Sequence, residues 1–113
     1  MNRQQFARFM ERDGGCVHCG DVVTAVPNHR QNRGMGGSKK RNHSANIVVL
    51  CSEINGLIES DPVWAVKARE YGWKLRPWDD PLFVPVFQPM WNVWWRLDDD
   101  FGREAVPWED HPF

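Results

Sequence analysis

Apolar side chains recur at helical spacing in three segments of the chain. Residues 2–12, with apolar side chains at i, i+3 and i+4, are predicted to form the first helix. Residues 53–60 are predicted to form the second, with Ser52 as its N-cap. Asp61 and Pro62 are predicted to start the third helix, because Asp caps helices well and proline suits the first helical position.

Shorter apolar runs predict five strands. Residues 22–26 are rich in β-branched side chains and end at Pro27, and residues 47–50 form a second run. Between these runs, residues 30–45 show no periodicity and contain three glycines, which predicts a loop. In the last third of the chain, strands are predicted at residues 83–87, 91–97 and 103–106, with a turn between the last two.

The tryptophan-rich run 91–97 has two different faces if it is a strand. At strand periodicity Trp91 and Trp95 share one face, whereas Trp94 and Arg96 share the other. We expect one aromatic face to pack in the core. Because aromatic side chains also stack on bases in proteins that bind single strands, an exposed contact at Trp94 beside Arg96 stays open as the alternative.

The length and the cysteines indicate one small cytoplasmic protein. A chain of 113 residues has the size of one domain, or of one domain with an extension. No apolar run approaches the ~20 residues that cross a bilayer, and the N-terminus lacks the apolar region of a signal peptide. Three cysteines, two of them spaced Cys16-x-x-Cys19, indicate metal or redox chemistry rather than a disulfide in a reducing compartment.

Charge is unevenly distributed along the chain, although the net charge is only −1. Residues 1–60 carry eight Lys and Arg against five Asp and Glu, whereas residues 61–113 carry six against ten. Glycines in the basic stretch remove Cβ atoms, so that backbone amides and cations can approach phosphates. A solvated loop without a partner is the alternative. The pattern predicts nucleic-acid contacts from Arg30, Arg33, Lys39, Lys40 and Arg41.

His29 is the candidate catalytic residue, because imidazole can accept a proton from water near neutral pH. In phosphodiester hydrolysis that water attacks phosphorus, while a divalent cation stabilises the charge on the scissile phosphate and the leaving oxygen. A lone histidine at a strand end is more often a solvent-facing or hydrogen-bonded side chain. The basic, glycine-rich loop and the apolar run that follow His29 favour the general base.

The order of His29, the basic loop, the second apolar run and the short helix resembles the HNH/HNN endonuclease family, especially its small phage and prophage members. The resemblance covers residues 12–75, and its motifs are CxxCG from Cys16, HRxxRGMGGS from His29, SANxxxLC before the second helix and the spacing to Asn55. It implies an α+β fold, with a ββα-metal core, flanking short helices and a small C-terminal β-hairpin or meander.

The resemblance also implies a division of the chain and a role for each site residue. Residues 1–76 would be the HNH-like nuclease domain, and residues 77–113 would be a tryptophan-rich β extension packed on or beside the core. His29 would be the general base, and Asn46 would tie the loop to the strand through backbone hydrogen bonds. One divalent metal ion, Mg²⁺ or another, would be held by Asn28 and Asn55.

Asn28 departs from the family, which usually carries Asp or His at this position. Two neutral amides hold Mg²⁺ weakly, because hard cations are bound largely through carboxylates and phosphates. Three alternatives stay open: the substrate phosphate completes the site, a nearby acid such as Glu59 or Asp61 contributes, or the site is impaired.

The cysteines depart from the family as well. Many relatives place four thiolates on one structural Zn²⁺, and Cys16, Cys19 and Cys51 match three of them. Ile54 occupies the fourth position and cannot ligate. Two interpretations stay open: a zinc site completed by a histidine, such as His18 or His43, or by water, and apolar packing that replaces the metal.

The sequence therefore predicts a metal-dependent endonuclease that hydrolyses phosphodiester bonds of DNA, with double-stranded DNA as its partner. The resemblance implies a phage-encoded protein that works in the host cytoplasm, with phage packaging proteins as further partners and no membrane. The alternative is a catalytically weakened HNH-like module that binds nucleic acid or a protein. A third, weaker hypothesis is a redox or zinc-sensing protein built on the CxxC pair.

Overall fold

A computed structural model describes residues 1–32 and 43–107 of the chain. These residues form an α+β fold with three α-helices and two small antiparallel sheets. No helix among them is long and apolar enough to cross a membrane. In chain order the elements are α1 (Arg3–Asp13), β1 (Ala25–His29), β2 (Ile47–Cys51), α2 (Ser52–Ser60), α3 (Pro62–Glu70), β3 (Val86–Gln88), β4 (Val93–Leu97) and β5 (Arg103–Ala105).

The helix predictions are confirmed, and local capping explains where α1 begins and ends. The Asn2 side chain accepts a hydrogen bond from the Gln5 amide at 2.8 Å, and the Gln5 side chain accepts one from the Asn2 amide at 3.1 Å. This reciprocal pair satisfies two amides that the first turn would leave without partners. Gly14 ends the helix in the left-handed region at φ 73°.

The other two helices start one after the other at side-chain caps. Asp61 caps α3 by accepting from the Val63 amide, as the sequence predicts. Helix α2 begins at Ser52 itself, because the N-cap is Cys51, whose Sγ accepts from the Ile54 amide at 3.4 Å. The predicted Ser52 cap is therefore wrong by one residue.

Strand β1 lies three residues later than the predicted strand. Asp21 is the reason, since its carboxylate accepts bonds from the Val23 amide and from both the amide and the hydroxyl of Thr24. These bonds form a turn that keeps the β-branched run out of the sheet. Pro27 then falls inside β1 instead of ending it.

Pro27 lies at a position of β1 where its missing N–H costs the sheet no hydrogen bond. Pro27 pairs with Val49, and both backbone groups of Val49 are engaged on the opposite side of β2. The Val49 amide donates to the Asp13 carboxylate at 2.9 Å, and its carbonyl accepts from the Val17 amide at 3.0 Å. The pair therefore exchanges no hydrogen bonds, and the missing N–H of proline is tolerated there.

The sheet of β1 and β2 is covered on both faces. Ile47 and Val49 pack with Phe9 of α1 on one face, whereas Val48 and Leu50 belong to the main core on the other. The register pairs His29 with Ile47 and Asn28 with Val48. Because side chains alternate along a strand, the adjacent residues Asn28 and His29 point to opposite faces of the sheet.

The C-terminal extension shares the main core instead of forming a separate one. Val86 and Leu97 are buried in the same cluster as Leu50 and Trp73. Trp94 is also buried, with its ring centroid 5.0 Å from that of Phe87. Core packing is thus confirmed for this residue, and the alternative of an exposed Trp94 contact is wrong.

The charged side chain of Arg30 is fully buried, at 0% exposure. Its guanidinium donates to the carbonyl oxygens of Gly72 at 2.8 Å, Ala45 at 2.9 Å and Pro81 at 2.9 Å, and also to Val84. Burial lowers the pKa of Arg30 to about 9, which still leaves it charged at neutral pH. Where the sequence predicts a phosphate contact at Arg30, the structure encloses the guanidinium and bonds it to main-chain carbonyls.

Arg30→Lys should lower the free energy of unfolding by about 2–4 kcal/mol, because one ammonium cannot replace a planar fork that bonds four carbonyls, and buried acceptors are left unpaired. Urea unfolding measures this change. Arg76→Lys, at an exposed position, is the matched control and should change stability by less than about 0.5 kcal/mol. Equal stability of the two variants would contradict the structural role of Arg30.

Candidate functional site

Asn28 stands at the centre of the candidate site with one end of its amide bonded and the other without a partner. The side chain is 2% exposed, and its Nδ2 donates to the Trp73 carbonyl at 2.9 Å. Only the NH₂ end of the amide can donate to a carbonyl, so this bond fixes which way Oδ1 points. Among the described residues, the buried Oδ1 has no hydrogen-bond partner. Such an oxygen costs about 1–3 kcal/mol, which a donor or a cation would offset.

The segment after α3 runs along the outer edge of β1 and fixes the end of the strand. Besides the bond from Asn28 to Trp73, Lys74 Nζ donates to the carbonyl of His29 at 2.9 Å. The Leu75 amide then donates to the carbonyl of Arg30 at 2.8 Å. The backbone of His29, the partly buried last residue of β1, is therefore held on this side.

Asn46 joins the two ends of the basic loop. Its Oδ1 accepts from the Gln31 amide at 2.9 Å, and its Nδ2 donates to the Gln31 carbonyl at 3.1 Å. The Arg30 amide donates to the Asn46 carbonyl at 2.7 Å. These are backbone ties of the kind that the resemblance implies for Asn46. They hold the chain just before and just after residues 33–42.

The remaining predicted site residues divide into two groups. Asn55 lies half-buried on α2, next to Ile54, which faces the core. Its helix follows β2 directly and packs against both strands of the sheet. The predicted phosphate contacts Arg33, Lys39, Lys40 and Arg41 lie outside the described residues.

Trp73 and Lys74 contact the end of β1, but no sequence motif indicates this role. They reach it because Gly72 reverses the chain after α3 at φ 74°. A Cβ at Gly72 would lie 2.0 Å from the carbonyl oxygen of Pro85, so only glycine fits this turn. In the sequence, Gly72 is thus the local signal that the chain turns back after α3. It does not indicate that the residues after the turn contact β1.

The three cysteines converge although they come from two distant segments. The Sγ atoms of Cys16, Cys19 and Cys51 all lie within 4.8 Å of one another, with Cys19 exposed and the other two buried. This cluster could hold a metal ion, and zinc suits thiolate ligands. Because Cys19 is exposed, the cluster reaches the surface, where water can supply a further ligand.

Burial dominates the acid–base behaviour of Cys16. Desolvation raises its pKa from 9.0 to about 11, against the opposing effect of hydrogen bonds from the backbone amides of Cys19, Cys51 and His18. Amides that point at a sulfur stabilise its thiolate form. The metal-free site therefore holds a thiol, while its backbone is arranged to receive a thiolate.

Neither candidate histidine joins the sulfur cluster. The His18 ring lies edge-on to Trp64 and Trp73, at centroid distances of 5.3 and 5.9 Å. Its Nδ1 is buried and has no hydrogen-bond partner in the part of the chain that the structure describes. Burial lowers the pKa of His18, which favours the neutral ring. His43 Nδ1 instead lies 2.7 Å from Asp99 Oδ2. Within the described part of the chain, the convergent ligands are the three cysteines alone.

No protein-family model matches the sequence, and no curated protein and no solved structure matches it either. The chemistry of the site therefore rests on its own residues, which are Asn28, His29, Asn46 and Asn55 around the sheet and the three cysteines beside it.

Metal affinity of the cysteine cluster should rise with pH between about pH 6 and pH 8, since the ion must displace protons from the thiols. Co²⁺ titration, followed by thiolate-to-cobalt charge-transfer absorption, measures this affinity. Cys16→Ser should weaken binding at least about tenfold. No charge-transfer absorption at any pH would favour the apolar packing around Ile54 over a metal site.

The raised pKa of the Cys16 thiol also predicts how the stability of the metal-free protein changes at alkaline pH. The folded state holds the Cys16 proton more tightly than the unfolded chain does, because burial raises the pKa from 9.0 to about 11. The contribution of this thiol is therefore complete below about pH 9 and is lost as the pH rises towards 11. Urea unfolding across this range measures the loss, and Cys16→Ser should reduce it.

Proposed function

We propose that the protein is a metal-dependent DNA endonuclease of the HNN type, in which β1, β2 and α2 form a ββα-metal core. The end of β1 supports the proposal: Asn28, whose Oδ1 has no partner among the described residues, and the candidate base His29 occupy its last two positions. They point to opposite faces of the strand, so a phosphate would have to lie across the strand end to meet both. The antiparallel pairing of β1 with β2, followed at once by α2 with Asn55, supports the same interpretation.

In this proposal His29 takes a proton from the water that attacks phosphorus. A phosphorus–oxygen bond forms to that water, the bond to the leaving oxygen breaks, and the leaving oxygen is protonated from solvent. The Lys74 bond to the His29 carbonyl and the Asn46 ties hold the backbone of the base in place. A divalent cation, when bound, would stabilise negative charge on the scissile phosphate and the leaving oxygen.

The donor set fits a weakly held hard cation. Asn28 offers a buried amide oxygen that bonds to none of the described residues, and Asn55 offers a second amide on α2. Both donors are neutral, so most of the opposing charge would come from the substrate phosphate. Metal binding and DNA binding should therefore strengthen each other.

A catalytically weakened module that binds nucleic acid or a protein is the second candidate, and one contact favours it. The Asn28 amide donates to the Trp73 carbonyl, a bond that an aspartate could not make. The strand end is thus matched to a neutral residue, whereas efficient Mg²⁺ sites carry carboxylates.

His29→Ala should lower metal-dependent nicking of supercoiled plasmid by about 10²–10⁴-fold, the contribution expected of a general base, with folding and DNA affinity close to wild type. Gel analysis of nicking with Mg²⁺, Mn²⁺ or EDTA measures the effect. His43→Ala is the matched control, because His43 is partly exposed and bonded to Asp99. Unchanged nicking by His29→Ala would remove this residue from the mechanism.

Asn28→Asp should tighten divalent-metal binding and raise the nicking rate, because it supplies a charged ligand. Without metal it should unfold at a lower temperature, since it loses the bond to Trp73 and buries a carboxylate. Thermal unfolding with Mg²⁺ and with EDTA measures both effects. Asn92→Asp, at an exposed position, should show neither. No gain in metal affinity or rate would mean that the missing charge does not limit the site.

A further inference from the structure

A polar cleft of about 180 Å³ opens beside the end of β1, between α2, α3 and the segment that follows Gly72. Its polar lining includes Glu59 of α2, Arg69 of α3, Lys74 and Asn32. The cleft therefore adjoins the end of β1, where the candidate base His29 lies.

Lys74 has hydrogen-bonding capacity left for a ligand. Its side chain is only 20% exposed, and its Nζ donates to the His29 carbonyl at 2.9 Å. The Glu59 carboxylate lies at 3.7 Å, beyond hydrogen-bond distance, on a side chain that is 71% exposed. Desolvation lowers the pKa of Lys74, and the Glu59 carboxylate offsets this only in part. An ammonium has three donors, and an anion in the cleft could receive the remaining ones.

Positive charge around the cleft outweighs negative charge. Arg69 and Lys74 face Glu59 alone among the carboxylates that line the cleft. Arg30 adds a third cation in the wall, and its described hydrogen-bond partners are four carbonyls rather than a carboxylate. A cleft with low-dielectric walls and an excess of one charge concentrates its field on a ligand of the opposite sign.

We propose that this cleft binds a backbone phosphate of the nucleic acid, next to the phosphate presented to His29. Lys74 and Arg69 contact that phosphate, and Glu59 opposes it and so limits the affinity. Because Lys74 is also bonded to the His29 carbonyl, the bound phosphate and the candidate base are positioned by one side chain. The inference rests on the proposed function and adds a substrate-positioning site to it.

The test is the salt dependence of binding to a short fluorescent DNA duplex in EDTA, where no metal-dependent cleavage occurs. Arg69→Gln and Lys74→Gln should each reduce the slope of log K against log salt by about 0.9, the value for one lost phosphate contact. Lys74→Arg should keep the slope. Glu59→Gln should tighten binding, because it removes the opposing charge.

Lys67→Gln is the matched control, since it removes one positive charge from the same helix as Arg69. Lys67 lies over the Trp64 ring at 4.8 Å and does not line the cleft. The slope of log K against log salt for Lys67→Gln should therefore equal that of wild type. Arg69 is exposed, so its variant tests the cleft even if Lys74→Gln destabilises the fold. Equal slope changes in Arg69→Gln and Lys67→Gln, or no change in Arg69→Gln, would overturn the proposal.

Two further measurements distinguish a DNA phosphate from free phosphate, and the phosphate site from the nuclease activity. If inorganic phosphate stabilises wild type against heat but not Arg69→Gln, while the DNA slopes stay equal, the cleft binds free phosphate and the proposal is overturned. If the slopes change as expected but plasmid is never cut with any metal, the nuclease proposal fails and the phosphate site stands. Cleavage with unchanged slopes would overturn the phosphate site and leave the nuclease proposal standing.

Discussion

Three segments of the protein meet at the enclosed guanidinium of Arg30, and their arrangement depends on it. Burying a charge is unfavourable unless its hydrogen bonds are made, and Arg30 makes them to four carbonyls at Ala45, Gly72, Pro81 and Val84. One side chain thereby joins the residue before Asn46, the turn after α3 and the segment before β3. Because Arg30 directly follows His29, the same anchor fixes the end of β1.

This arrangement makes the C-terminal extension part of the candidate site. Two of the carbonyls that hold Arg30 come from the extension, and Trp73 donates from Nε1 to the carbonyl of Phe87 in β3. The strand end therefore depends on residues beyond position 76, although the motifs of the resemblance lie before it. The tryptophan-rich segment contributes to the site by packing, with Trp94 buried against Phe87.

The parts of the fold that the sequence predicted are those with local causes. Helix α1 begins at the Asn2 capping box and α3 at the Asp61 cap, and both signals lie within a few residues of their effects. The shift of β1 has a local cause too, the Asp21 turn, but β-branched composition indicated a strand more strongly. The roles of Arg30 and Lys74 could not be predicted, because their partners lie far along the chain and a sequence shows a charge without showing what surrounds it.

The nuclease proposal is tested by incubating wild-type protein with supercoiled plasmid in Mg²⁺, Mn²⁺, Ni²⁺ or EDTA and then treating the product with DNA ligase. We expect nicked DNA with a divalent metal and none with EDTA. We also expect nicks that ligase closes, because the resemblance to the HNH/HNN family implies hydrolysis that leaves a 5′-phosphate. Intact plasmid with every metal, from a protein that still binds DNA, would contradict the nuclease and leave the binding module as the function.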